Sequence, residues 1–166
     1  IKKLHQTIGK TTVYVTHDQV EAMTLSSRIA VLHKGVLQQF DEPQKIYDHP
    51  ANMFVAGFMG SPAMNFLPAR MSPNGKGTEL SLDGGAVLKL KRKISGSEKV
   101  IVGIRPEHLT SGDSRTTNSL ISKVILVEPT GSETHVISRF GNSEVTAKFF
   151  PNQAPRLGEE VRLAVD

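Results

Sequence analysis

The chain has 166 residues, 38% hydrophobic and 22% charged, with 20 Lys and Arg against 16 Asp and Glu for a formal net charge of +4. That composition suits a folded globular protein and excludes wholesale disorder, and a chain of this length buries roughly two-thirds of its unfolded surface without a staple. Cysteine is absent, which excludes disulfides, thiol catalysis and zinc–thiolate sites and fits a cytosolic protein; no apolar run reaches the about 20 residues of a bilayer span, and Ile1-Lys2-Lys3 lacks the apolar core of a signal peptide.

Leu4 and Ile8 recur at i, i+4 and predict the tail of an amphipathic helix that Gly9 stops. Thr12-Val13-Tyr14-Val15-Thr16 is β-branched and aromatic without polar alternation, the pattern of a strand buried on both faces of a parallel sheet. Asp18 then caps a helix, with Glu21 in the reciprocal position of a capping box and Val20, Met23 and Ser27 on one face. Strand, sharp turn and helix in that order place a ligand beyond the carboxyl end of the strand. Ile29-Ala30-Val31-Leu32 and Val36-Leu37-Gln38-Gln39-Phe40 flank the turn His33-Lys34-Gly35 and predict a hairpin. Glu42-Pro43 opens a short helix through Ile46 and Tyr47, ended by His49-Pro50. Ala51, Phe54, Val55 and Phe58 fit i, i+3, i+4, i+7 and predict a second, limited by Gly57, Gly60 and Pro62.

After Pro62 the texture changes to short strands broken by Gly, Pro, Asn and Ser. The predicted strands are 65–70, 78–82, 87–90, 100–104, 121–127, 134–140, 145–149 and 161–165. Asp83-Gly84-Gly85 and Gly141-Asn142 read as hairpin turns, and the whole as a small barrel or sandwich. The polar stretch 111–118 reads as a mobile loop.

His17 stands at the end of the first predicted strand and at a helix start. An imidazole there can donate to a phosphate oxygen, or simply fill a turn beside the caps Thr16 and Asp18. Three phosphate-site lookalikes fail on context. Gly9-Lys10-Thr11-Thr12 follows a helix where a P-loop follows a strand. Leu82-Asp83-Gly84-Gly85-Ala86 sits in a hairpin, and the strand 161–165 carries Arg162. The other five histidines, His5, His33, His49, His108 and His135, show no metal-ligand spacing. Lys89, Lys91, Arg92 and Lys93 fit a solvated edge strand or a nucleic-acid patch. Gly103-Ile104-Arg105-Pro106-Glu107-His108 ends a strand at Pro106, with Arg105 and Glu107 either a corner ion pair or a contact surface.

Taken together, several strings resemble the ATPase subunits of carbohydrate importers in the ABC transporter superfamily, of maltose and glycerol-3-phosphate type. They are Tyr14 to Met23, Ile29 to Leu32 with Gly35, Pro43 to Tyr47, Pro50 to Pro62, Met64 to Phe66, Gly103 to His108 and Leu126 to Thr134. The resemblance implies that residues 1–60 form the last part of an α/β nucleotide-binding domain and that 61–166 form an all-β, OB-like (TOBE-type) regulatory domain. It implies that His17 is the switch histidine that contacts the γ-phosphate of ATP. Asp18, Arg105, Pro106 and Glu107 are then interface or regulatory residues. The cofactors implied are ATP and Mg in the intact parent and none for this segment alone. The partners implied are a second copy, the permease subunits and a regulatory protein, with no nucleic acid and no membrane insertion. The location implied is the cytoplasmic face of the membrane. The P-loop, Gln loop, signature and Asp-Glu strand of the family are missing from the sequence, so no ATPase activity is expected of this segment by itself. The start at Ile1 and the stop at Asp166 then read as the cut ends of a longer protein. Two rivals stand beside this reading: a nucleic-acid-binding OB module, favoured by the basic composition but poorly supplied with aromatics, and a sensor of a small oxyanion or metabolite.

Overall fold

Gly9 takes a left-handed conformation (φ 64°) and its N–H caps the carbonyl of His5, which ends the first helix, α1 (Lys2–Ile8). The computed structural model describes residues 1–74 and 77–166, and the chain divides into two units, Ile1–Ala63 and Met64–Asp166.

In the first unit, α2 spans Gln19–Leu25, and the strands β1 (Ile29–His33) and β2 (Val36–Asp41) form the predicted antiparallel hairpin. Lys34 and Gly35 both have positive φ (49° and 79°), the two-residue geometry that matches strand twist. Pro43 opens α3 (Pro43–Asp48), and the Asn52 side chain accepts from the Val55 N–H at 3.0 Å to cap α4 (Met53–Phe58). Val31, Ile46, Val55 and Met59 bury together, with Met23, Ile29 and Phe54 packed against them.

The expected strand 12–16 does not form. These residues are irregular, Val13 and Val15 are 89% and 91% exposed, and no strand pairs with them among the described residues. A parallel strand takes its hydrogen bonds and both its covers from neighbours, so β-propensity alone cannot make one. Val20 is also exposed, while Met23 packs inward.

In the second unit the strands are β3 (Asn65–Asn74), β4 (Gly77–Leu82), β5 (Val87–Leu90), β6 (Lys99–Ile104), β7 (Leu109–Ser111), β8 (Ser119–Pro129), β9 (Thr134–Phe140), β10 (Ser143–Phe149) and β11 (Glu160–Val165). They make a four-stranded sheet, β5-β4-β3-β6, and a five-stranded sheet, β10-β9-β8-β11-β7. Burial alternates along β4, β8 and β9, so each sheet turns one face inward. One core takes Leu67, Leu80 and Leu88 from the first sheet and Leu120, Val136 and Leu163 from the second.

Polar groups tie this core together. Asn65 is buried, and its amide donates to the carbonyls of Ile104 (3.0 Å) and Thr146 (2.9 Å) while its oxygen accepts from the Thr146 N–H (2.8 Å). The buried Ser122 hydroxyl donates to Ser138 at 2.9 Å. The Asn118 side chain accepts from the Lys89 N–H at 2.8 Å and donates to the Lys89 carbonyl at 3.2 Å. The turn after β4 brings Gly84 onto the ring of Phe140 and beside Gly141.

Residues 112–118 are organised by Asp113, whose carboxylate accepts from the N–H of Arg115 at 2.9 Å and from the Thr116 hydroxyl at 3.3 Å. The bond from the Arg115 N–H holds the Asp113 carboxyl below its ordinary pKa. A carboxyl with a lowered folded pKa contributes stability that is present above the ordinary value of 3.8 and is lost as pH falls through the lower one. An NMR titration of the Asp113 carboxyl is therefore expected to show a midpoint below 3.8, with the Arg115 amide resonance shifting at the same midpoint.

Candidate functional site

Two groups of residues carry the sequence-derived expectations, one in each unit. The first is the turn leading into α2. Asp18 caps the helix as its residue type predicts: one carboxylate oxygen accepts from the N–H groups of Val20 (2.7 Å) and Glu21 (3.1 Å). The reciprocal bond of a capping box is not made, because the Asp18 N–H goes to the Thr16 hydroxyl at 2.9 Å. The Glu21 carboxylate reaches backward instead. One of its oxygens accepts from Thr16 at 2.7 Å and from the Tyr14 hydroxyl at 3.1 Å. This acceptor raises the Tyr14 phenol above its ordinary pKa. His17 lies between the two tied residues, on an exposed bend. The sequence offered Thr16 as a cap, and its hydroxyl does take the Asp18 N–H; the Tyr14 hydroxyl was not singled out, since its residue read only as part of a strand.

The second group is the corner after β6. Arg105 and Pro106 are buried there, Arg105 at 4% exposure, while Glu107 and His108 face solvent in a single 3-10 turn, Pro106–His108. Glu107 and His108 are thus the members of this corner that a partner can reach. The turn continues into β7, which pairs with β11 and which the sequence did not announce.

Other features resolve more simply. Gly9 is the helix stop described above, and Asp83-Gly84-Gly85 is a tight turn closed by the Gly85 N–H on the Leu82 carbonyl at 2.9 Å. Lys89 lies on β5, at one end of its sheet, and Lys91, Arg92 and Lys93 are exposed beyond it. Among the described residues no cluster of three His, Asp or Glu side chains could hold a metal ion, and no helix is long and apolar enough to cross a membrane.

Residues 60–109 match the family model of the MalK OB fold domain, and residues 102–166 match that of the TOBE domain. The chain is 45% identical over 98% of its length to an uncharacterized ABC transporter ATP-binding protein of Sinorhizobium fredii, covering 43% of that protein. It is 42% identical over its full length to the sulfoquinovosyl glycerol transport ATP-binding protein SmoE of Agrobacterium fabrum, covering 47% of it. It is 37% identical over its full length to the uncharacterized ABC transporter ATP-binding protein YcjV of Escherichia coli, again covering 47%. The chain thus spans less than half the length of these relatives. From residue 60 onward it belongs to the MalK-type OB fold and TOBE domain families, and along its whole length it is a homologue of the ATP-binding proteins of ABC transporters.

Proposed function

We propose that this chain is the carboxyl-terminal portion of the ATP-hydrolysing subunit of an importer for a sugar, a glycerol conjugate or sn-glycerol-3-phosphate. The observation that carries this reading is the alignment to ABC transporter ATP-binding proteins over 98% or more of the chain, SmoE among them. Residues 1–60 contribute the end of the α/β nucleotide-binding domain, and 61–166 the regulatory domain.

The cofactors in this reading are ATP and Mg. ATP, when bound, supplies the transferable phosphoryl group. What this chain offers it is His17, whose ring N–H donates to a γ-phosphoryl oxygen and helps orient the attacking water. No acidic cluster among the described residues suits the metal, so its ligands belong to the remainder of the parent. The partners are permease subunits, a second copy of the subunit and a regulatory protein. The location is the cytoplasmic face of the membrane, without insertion. Asp18 faces the subunit interface, and the exposed Glu107 beside the buried Arg105 and Pro106 marks a contact corner of the regulatory domain.

In the full-length ATPase, His17→Ala is expected to lower kcat on the order of 100-fold with little change in KM for ATP, since the lost donor acts on charge developing in the transition state. The 166-residue chain alone, given Mg and ATP, is expected to release no phosphate above its own His17→Ala control. Undiminished turnover by full-length His17→Ala overturns the role of His17. Phosphate release by the isolated chain above that control overturns the division of labour.

A further inference from the structure

The Glu21 carboxylate does something that helix capping does not require. The helix start is already served by Asp18, and the Asp18 N–H is already taken by Thr16. One oxygen of Glu21 nevertheless gathers two hydroxyls from the chain leading into the turn, Thr16 at 2.7 Å and Tyr14 at 3.1 Å. The Thr16 hydroxyl is in turn the acceptor for Asp18, so a continuous relay runs Tyr14–Glu21–Thr16–Asp18. His17 is the residue this relay steps over. Its backbone is held on both sides while its ring stays exposed.

We propose that Glu21 is a positioning residue for His17: by clamping Thr16 and Tyr14 to the first turn of α2, it fixes the direction in which the imidazole leaves the bend. This rests on the reading of His17 as the γ-phosphate contact. The physical need is plain. An exposed histidine on an irregular segment has no packing to orient it, and a misplacement of about 1 Å at a reacting centre can cost on the order of 100-fold in rate. The 2.7 Å Thr16–Glu21 bond joins two partly buried residues five apart in the chain, one before the bend and one in the first turn of α2, so the clamp is local. The outer bond, from Tyr14, extends it back into the run that otherwise has no regular structure.

The test has two arms. In the 166-residue chain, NMR reads amide exchange at Asp18 and the titration of Tyr14. Glu21→Ala is expected to speed Asp18 exchange on the order of tenfold, because Thr16 loses the acceptor that aims its hydroxyl. It is also expected to bring the Tyr14 titration down toward its ordinary 10.0. Glu21→Gln keeps an acceptor oxygen and is expected to hold Asp18 exchange within about threefold of the parent chain. In the full-length ATPase, Glu21→Ala is expected to lower kcat on the order of 100-fold at nearly constant KM, with Glu21→Gln recovering most of the loss. Unchanged Asp18 exchange and Tyr14 titration in Glu21→Ala overturn the clamp, whatever His17 does. A loosened clamp with full turnover, in an enzyme that His17→Ala inactivates, overturns the positioning role. Full turnover by His17→Ala overturns the reading of His17 and the positioning role with it, while the clamp measurements stand.

Discussion

Replacing Asn65 by Ala is expected to lower the melting temperature of the 64–166 unit by roughly 15 °C, the equivalent of about 3 kcal/mol in a domain of this size. Asn65 opens β3, and its amide serves three backbone groups at once: the Ile104 carbonyl on β6 of its own sheet, and the carbonyl and N–H of Thr146 on β10 of the other. Alanine would leave all three without this partner at a site where Asn65 itself is 6% exposed. A buried polar group left without a partner costs about 1–3 kcal/mol. Asn65→Asp is expected to do no better, since it keeps the acceptor for the Thr146 N–H but turns a carboxylate oxygen toward two carbonyls. Calorimetry of the three proteins decides the matter. A shift of less than about 3 °C for Asn65→Ala would mean that water serves these groups equally well.

The second large effect is expected where two turns meet. Gly84 has no room for a Cβ because the Phe140 ring covers it, and a Cβ on Gly141 would in turn lie 2.8 Å from the Gly84 Cα. Gly84→Ala is therefore expected to cost about 2 kcal/mol through overpacking, and Phe140→Ala about 3–5 kcal/mol through the cavity left in the core. The two act on one contact. Phe140→Leu, which withdraws the ring, is expected to relieve Gly84→Ala, so that the double variant loses less than the sum of the singles. Denaturant unfolding of the four proteins measures this coupling, and strict additivity would show that Gly84 and Phe140 do not constrain each other.

Much of the second unit was legible because its strands obey a period of two. The turns Asp83-Gly84-Gly85 and Gly141-Asn142 stand where their residue types placed them, and β9 spans Thr134–Phe140. Leu109–Ser111 was not legible, since three residues make a strand only when β11 offers them a partner. Thr12–Thr16 failed in the opposite sense: the residues suit a strand, but nothing among the described residues pairs with them. Asn65 looked like one polar residue at a strand start, and its role exists only once two sheets close over it. At the candidate site, the Asp18 cap followed from residue type alone. The turning of Glu21 toward Thr16 and Tyr14 did not, because it depends on which acceptor reaches the Asp18 N–H first.

The Asn118 side chain carries a consequence for how this domain behaves in company. β5 ends the four-stranded sheet, and a terminal strand offers its free N–H and C=O groups to any foreign chain that can lie beside it. At Lys89 both groups are occupied by one side-chain amide, which imitates a single residue of a neighbouring strand and stops there. A recruited strand would have to displace that amide and then pass the exposed positive charges of Lys91, Arg92 and Lys93. The β5 edge of the sheet is thereby guarded at Lys89 against an added strand.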